Sequence, residues 1–272
     1  MEILIPALVL FAIAVLCAVL LVVSSALFGV KEDERLIAVR DELPGVNCGA
    51  CGYSGCDGYA KALASGECDN PSLCVPGGDG VSKRVAGIMG LKATDIKEIV
   101  AFVACAGPGR PDDKKYDYTG PASCINASMS YAGDRTCSYA CLGYGDCVRA
   151  CPRGAIKIGD RGVAEIDPKK CIGCGLCTRT CPKGVISLIE DTARVVVKCS
   201  NHDKGAAVMK ACKNGCIACG KCQKTCPHGA ISIIDNLAVI DYSKCTACGE
   251  CVKVCPTGCI QTGNFICGSH FE

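Results

Sequence analysis

The chain has 272 residues, with 29 basic and 27 acidic side chains, a formal charge of +2, no tryptophan and 28 cysteines. That near-neutral balance, with no basic run of five or more, argues against a nucleic-acid binder. Cysteine at this density suggests a disulfide scaffold in a short secreted chain, but the length is too great for that class, and the spacing is that of thiolate ligands.

Residues 3–30 carry no charge. The stretch exceeds the roughly 20 residues needed to cross a hydrocarbon layer, so 1–30 is expected to be a transmembrane anchor. A cleaved signal peptide is the alternative, since Ser24 and Ala26 are small. Against it, Met1-Glu2 supplies no positive n-region and the apolar stretch is longer than a usual h-region. Cys17 follows Leu16, where a lipidation site would have a small residue. Lys31, Arg35 and Arg40 come next, interleaved with Glu32, Asp33 and Glu34. Orientation follows Lys and Arg, so the bulk of the chain is expected on the cytoplasmic side of the inner membrane, a reducing compartment that suits the thiols.

Segment 31–104 reads as a four-cysteine domain with a helical linker. KEDERLIAVRDELP predicts a charged helix ending before Pro44. Cys48, Cys51 and Cys56 then sit on a Gly-rich loop, with Cys74 before Pro76 as the natural fourth ligand. The set points to a [4Fe-4S] cluster, with structural zinc as the alternative. GYAKALASG predicts a helix with Cys68 just past its end, and 81–104 reads as one or two helices broken near Gly87 and Gly90. Segment 105–136 is a connecting loop carrying Cys105 and Cys124.

From 137 onward the chain repeats. CIGCGLCTRTCP at 171–182, CIACGKCQKTCP at 216–227 and CTACGECVKVCP at 245–256 have the cubane-binding spacing of bacterial-type ferredoxins. CSYACLGYGDCVRACP at 137–152 is a looser copy that keeps the final Cys-x3-Cys-Pro. In two-cluster ferredoxins the fourth cysteine of a motif serves the neighbouring cluster. Crossing then gives Cys171, Cys174, Cys177 with Cys151, and Cys137, Cys141, Cys147 with Cys181, in a first module over 137–198. A second module over 216–272 has Cys216, Cys219, Cys222 with Cys255, and Cys245, Cys248, Cys251 with Cys226. Residues 155–171, 185–199 and 230–245 each read as strand, turn, strand. Cys199 therefore ends a hairpin where a first ligand belongs, yet no Cys-x2-Cys follows. The expectation is that Cys105, Cys124, Cys199 and, in the insertion 199–215, Cys212 hold a further cluster, making six.

Cys17, Cys68, Cys259 and Cys267 are left over; Cys259 stands where Ala155, Val185 and Ala230 follow the other CP-x-G turns and reads as a small core residue. There is no Cys-x2-Cys-His for c-type haem and no Gly-x-Gly-x-x-Gly for NAD or FAD. His202, His228 and His270 are scattered and read as surface residues. No nucleophile–base arrangement stands out, so no bond-making site is assigned. The fold class is α+β: anchor, small iron–sulfur domain, tandem ferredoxin-like polyferredoxin.

An N-terminal membrane helix, NCGACGYSGCDGYA with a later CVPGG, and then ferredoxin motifs resemble the B-subunit family of the Rnf complex, the ion-translocating ferredoxin:NAD oxidoreductase of bacterial membranes. The resemblance covers nearly the whole chain. The CSYACLGYGDC variant and the KCSNHDKGAAVMKACKNGC insertion are similar to the longer clostridial-type form. It implies a multi-[4Fe-4S] electron-transfer subunit of a translocase, fed by soluble ferredoxin and delivering to membrane and peripheral Rnf subunits. Coupling to Na+ or H+ belongs to the whole complex, and flavins and the NAD site to sister subunits. Lys169, Lys170, Lys183, Lys221 and Lys224 lie near the cluster loops, either to steer an acidic ferredoxin or as an ordinary solvated face. Rival readings are an electron-transfer subunit of a hydrogenase or formate dehydrogenase complex, which the front CGACGYSGC domain opposes, and a metal-binding scaffold, which the closed Pro-terminated motifs oppose.

Overall fold

The computed structural model describes residues 4–28, 33–107 and 113–265. Helix α1 (Leu4–Phe28) has 25 residues, about 37 Å at 1.5 Å per residue, enough to span a bilayer. Among the described residues nothing covers its Leu8–Ser25 stretch, which has mean hydropathy 3.0 and no buried residue. The side chains of Leu10, Phe11 and Leu21 need lipid or a partner to leave water.

Helix α2 (Glu34–Glu42) starts at Asp33, whose carboxylate accepts from Arg35 N, and stops before Pro44. It packs on α3 (Cys56–Ala64) and α4 (Gly78–Met89) around Val39, Tyr59, Leu63, Val81 and Val85. Ion pairs Arg40–Asp57 and Arg84–Glu42 tie α2 to α3 and α4 at the rim. The helix expected over 81–104 ends at Met89, because Gly90 takes a left-handed cap at φ 68. Ile99–Val103 is instead strand β1, an apolar run buried at four of its five positions. Periodicity alone does not separate such a run from a buried helix turn.

Helices α5 (Cys124–Met129) and α6 (Asp146–Arg149) precede β2 (Ile156–Ile158) and β3 (Ala164–Ile166), which pair as an antiparallel hairpin. After α7 (Leu176–Thr180), β4 (Ile186–Glu190) pairs antiparallel with β1, from Ile99 opposite Glu190 to Val103 opposite Ile186. The second half repeats this plan. β5 (Val195–Val197) pairs with β8 (Ile260–Thr262), and between them lie α8 (Gly205–Ala211), α9 (Lys221–Thr225), the hairpin β6 (Ile231–Ile234) with β7 (Leu237–Ile240), and α10 (Glu250–Lys253). The hairpins expected at 155–171 and 230–245 are present. The one expected at 185–199 is not: β4 closes the first half onto β1, and β5 opens the second half onto β8. Two strands adjacent in sequence usually pair, but each of these finds a longer-range partner that completes its own half.

Candidate metal centres

All four motifs use one local device. Gly145, Gly175, Gly220 and Gly249 sit at left-handed φ of 78, 69, 70 and 78° and open the short helices α6, α7, α9 and α10. That turn swings Cys147, Cys177, Cys222 and Cys251 from loop into the first helical turn, where each is buried. Amide hydrogens then aim at sulfur: Ala155 N and Ala230 N donate to Cys151 and Cys226 Sγ at 3.3 Å, and Ala101 N of β1 donates to Cys171 Sγ at 3.4 Å. Such donors favour thiolates and ligated sulfur.

In the front domain, burial pushes the Cys74 thiol up to about 12, and the charges of nearby Cys56, Cys48 and Cys51 add to it. Asn47 holds the loop by accepting Cys56 N at 2.8 Å, and fully buried Tyr59 donates to Asn70 O at 2.8 Å. Burial likewise raises Cys177 to about 12, with Cys171, Cys174 and Cys151 beside it. Cys222 rises to about 11 by burial with Cys216, Cys219 and Cys255 as neighbours, and Cys251 rises by burial next to Cys245, Cys226 and Cys248. Cys219 and Cys248 are exposed, unlike the other motif cysteines.

The thiol neighbours depart from the expected sets at two places, with Cys124 beside Cys147 and Cys137 beside Cys212. Cys147, raised to about 12 by burial, has Cys141, Cys124 and Cys181 around it. Cys212, also raised by burial, has Cys137, Cys105 and Cys199. The polypeptide enforces these neighbours. Asp146, one residue before Cys147, accepts from Ser123 Oγ and Ile125 N at 3.0 Å each, which pins the start of α5 and Cys124 to the start of α6. Ser200 Oγ donates to Tyr139 O at 3.3 Å, and Asn201 Nδ2 to Cys137 Sγ at 3.3 Å, drawing Cys137 to the Cys199 loop. Cys105, Cys137, Cys199 and Cys212 line one cavity, with Cys141 at its wall.

Of the remaining cysteines, Cys259 is 1% exposed and packs in one cluster with Cys199, Cys216 and Cys255. The one thiol hydrogen of Cys259 faces three sulfurs and favours the charged form there, which lowers Cys199, Cys216 and Cys255. Cys68 is buried with Sγ 3.6 Å from Asn70 O, Cys17 is exposed on α1, and Cys267 lies outside the described residues. His202 and His228 are exposed, and His270 also lies outside the described residues. Among the described residues no cysteine is in a disulfide, and no three His, Cys, Asp or Glu side chains converge on a single ion. A zinc site, with Zn–S of about 2.3 Å, needs sulfurs within about 4 Å of one another. The thiols stand apart around larger spaces, which fits a cluster whose several metal atoms each take one thiolate. Burial leaves Cys74, Cys147, Cys177 and Cys222 as neutral thiols without metal, so loading releases their protons.

Neighbouring sets touch in sequence. Cys174, raised by burial, feels Cys48 as well as Cys171 and Cys151, and Arg179 donates to Cys48 O across the same junction. Cys147 neighbours Cys177, Cys105 neighbours Cys141, and Cys216 neighbours Cys199. Cys222 in the first turn of α9 and Cys226 at its C-terminal cap belong one to each of the last two sets.

Residues 43–76 match the Fe-S cluster family; residues 135–185 and 215–259 match one 4Fe-4S dicluster domain family, and residues 170–231 match another. The chain is similar to the B subunit of the proton-translocating ferredoxin:NAD(+) oxidoreductase complex of Clostridium ljungdahlii, 44% identical over 216 residues covering 79% of this chain and 76% of that one. It is 40% identical over 242 residues to the B subunit of the Na(+)-translocating ferredoxin:NAD(+) oxidoreductase complex of Acetobacterium woodii, covering 89% and 72% of the two chains. The chain belongs to the Rnf B-subunit family. A third Rnf relative, the B subunit of the ion-translocating oxidoreductase complex of Methanosarcina acetivorans, is 39% identical over 197 residues, covering 72% of this chain and 74% of that one. As an Rnf B-type chain, this protein is a membrane-associated electron-transfer component that carries [4Fe-4S] clusters and has other Rnf subunits as partners.

Proposed function

We propose that this protein holds six [4Fe-4S] clusters in single file and takes low-potential electrons from reduced ferredoxin for delivery to the membrane subunits. The file runs from the tip set Cys226/Cys245/Cys248/Cys251 through Cys216/Cys219/Cys222/Cys255, Cys105/Cys137/Cys199/Cys212, Cys124/Cys141/Cys147/Cys181 and Cys151/Cys171/Cys174/Cys177 to Cys48/Cys51/Cys56/Cys74. The observation that carries this order is the unbroken series of thiol neighbours: 199 with 216, 105 with 141, 147 with 177, and 48 with 174. Bound there, all-thiolate clusters supply reversible one-electron chemistry at low potential.

The two ends of the file differ. The front set shares its domain with α2, which lies five residues past the end of the membrane helix, so it is the exit towards the membrane partners. The tip set has exposed Cys248 and its neighbour exposed Cys219; Lys221 and Lys224 on α9 are exposed beside Cys219, while Lys244 and Lys253 pair with Asp241 and Glu250. That is an entry suited to an acidic donor. Lys169 and Lys170 are also exposed but lie beside buried ligands, and Lys183 is half-buried and donates to Ala132 O. Lipid around α1 and a cytoplasmic placement of the thiol-rich bulk complete the reading, with coupling to Na+ or H+ translocation residing in the assembled complex.

Iron and acid-labile sulfide per chain, measured on anaerobically purified protein together with low-temperature EPR during addition of reduced ferredoxin, test it. About 24 irons, with signals that grow as ferredoxin is added, is the expected result. Cys124→Ala should remove the same signal as Cys147→Ala, and Cys137→Ala the same signal as Cys212→Ala. Zinc in place of iron, or clusters that ferredoxin does not reduce, would overturn the reading.

A further inference from the structure

Asn201 lies in a loop two residues after Cys199, yet it is 1% exposed. A buried primary amide is costly unless both of its ends are bonded. Oδ1 accepts Asp203 N at 2.6 Å, and this fixes which end of the amide faces which way. Nδ2 therefore donates to Cys137 Sγ at 3.3 Å, while the backbone N of the same residue donates to Cys199 Sγ at 3.4 Å. One residue gives N–H bonds to two of the five thiols that line the central cavity, and those two cysteines are far apart in sequence. At Cys141, Cys151, Cys171 and Cys226 the amide donors are backbone groups of Ala164, Ala155, Ala101 and Ala230. Backbone donors come with the loop whatever its sequence. Asn201 adds a buried side-chain donor that a single substitution removes.

We propose that Asn201 is a positioning residue that raises the reduction potential of the centre held by Cys105, Cys137, Cys199 and Cys212 through its hydrogen bonds to Cys137 and Cys199. The inference rests on the reading of that set as a cluster site. N–H bonds to a ligand sulfur draw charge from it and so favour the form of the centre carrying one more electron. Burial keeps the bond away from competing water, where its electrostatic effect is larger. The set lies third from the tip and fourth from the membrane, so a raised potential makes it a resting place for an electron within the file.

The test is an EPR-monitored redox titration of the full chain beside Asn201→Leu and Asn201→Asp, with iron counted in each. Cys212→Ala identifies the signal to follow. Leu removes the donor without adding charge, whereas Asp keeps the shape and the acceptor for Asp203 N but presents no amide hydrogen to Cys137. The expected result is wild-type iron with that one signal titrating at more negative potential in both variants, further in Asp, and the other signals unmoved. A variant that keeps its iron and titrates at the wild-type potential would overturn the proposal. So would loss of about four irons in both variants, which would make Asn201 a folding residue only. If Cys212→Ala removed no signal, the cluster reading of the set would fall, and the tuning role with it.

Discussion

At the scale of the residue, the middle position of each leading Cys-x2-Cys decides how tightly its loop is held. Gly173, Ala218 and Ala247 occupy this position with left-handed φ of 64, 53 and 59°. A Cβ on Gly173 would lie 2.5 Å from Ile99 O of β1, so glycine is required there by close approach as well as by φ. Gly173→Ala should therefore cost about 1–3 kcal/mol, read as roughly a tenfold or greater rise in the rate of iron loss to a chelator. Ala218→Gly removes a left-handed alanine costing about 1–2 kcal/mol but adds chain entropy of about 0.5–1 kcal/mol, so its iron loss should match or be slower than wild type. Equal rates for all three proteins would show that β1 does not brace the Cys171 loop. Sequence spacing makes the strict motif cysteines legible, because proximity there is local. It does not reveal that Cys124 stands beside Cys147 and Cys137 beside Cys212, since these neighbours depend on Asp146, Ser200 and Asn201, polar residues whose role exists only once distant loops meet.

At the scale of the element, the anchor, α2 with its stop at Pro44, and the hairpins β2–β3 and β6–β7 are legible in the sequence because their signals are local: apolar length, a proline, and short alternating runs around a turn. β1 reads as helix and β4–β5 as a hairpin for the converse reason. Five apolar residues carry no period that separates strand from helix, and the true partners, 190 opposite 99 and 262 opposite 195, are distant in sequence. The elements at the tip carry a separate prediction. Lys221 and Lys224 lie on α9, exposed and close to exposed Cys219. Reversing both to Glu should slow oxidation of reduced ferredoxin roughly tenfold at low ionic strength and flatten its salt dependence, with the cluster signals unchanged. Stopped-flow kinetics across a salt series provides the measurement, and unchanged rates would return these lysines to the solvated face.

At the scale of the whole molecule, the proposed single file runs through two ferredoxin-like halves and one front domain. The joints are specific: Arg179 of α7 bonds the Cys48 carbonyl, and Cys199, after β5, packs with Cys216 around buried Cys259. Cysteines are themselves core residues, with Cys216, Cys222, Cys251 and Cys259 packed beside Val195, Ile231 and Ile260. Scaffold and electron path are thus built from the same side chains. A line has a consequence that a branched arrangement does not: losing one inner site divides it.

The most direct measurement is freeze-quench EPR of the assembled complex carrying Cys212→Ala, mixed with reduced ferredoxin. The account predicts that the signals belonging to Cys216/Cys219/Cys222/Cys255 and Cys226/Cys245/Cys248/Cys251 appear at the wild-type rate. Those belonging to the Cys124, Cys171 and Cys48 sets should stay oxidised over the same interval. Reduction of all the remaining centres at wild-type rates would contradict a single file.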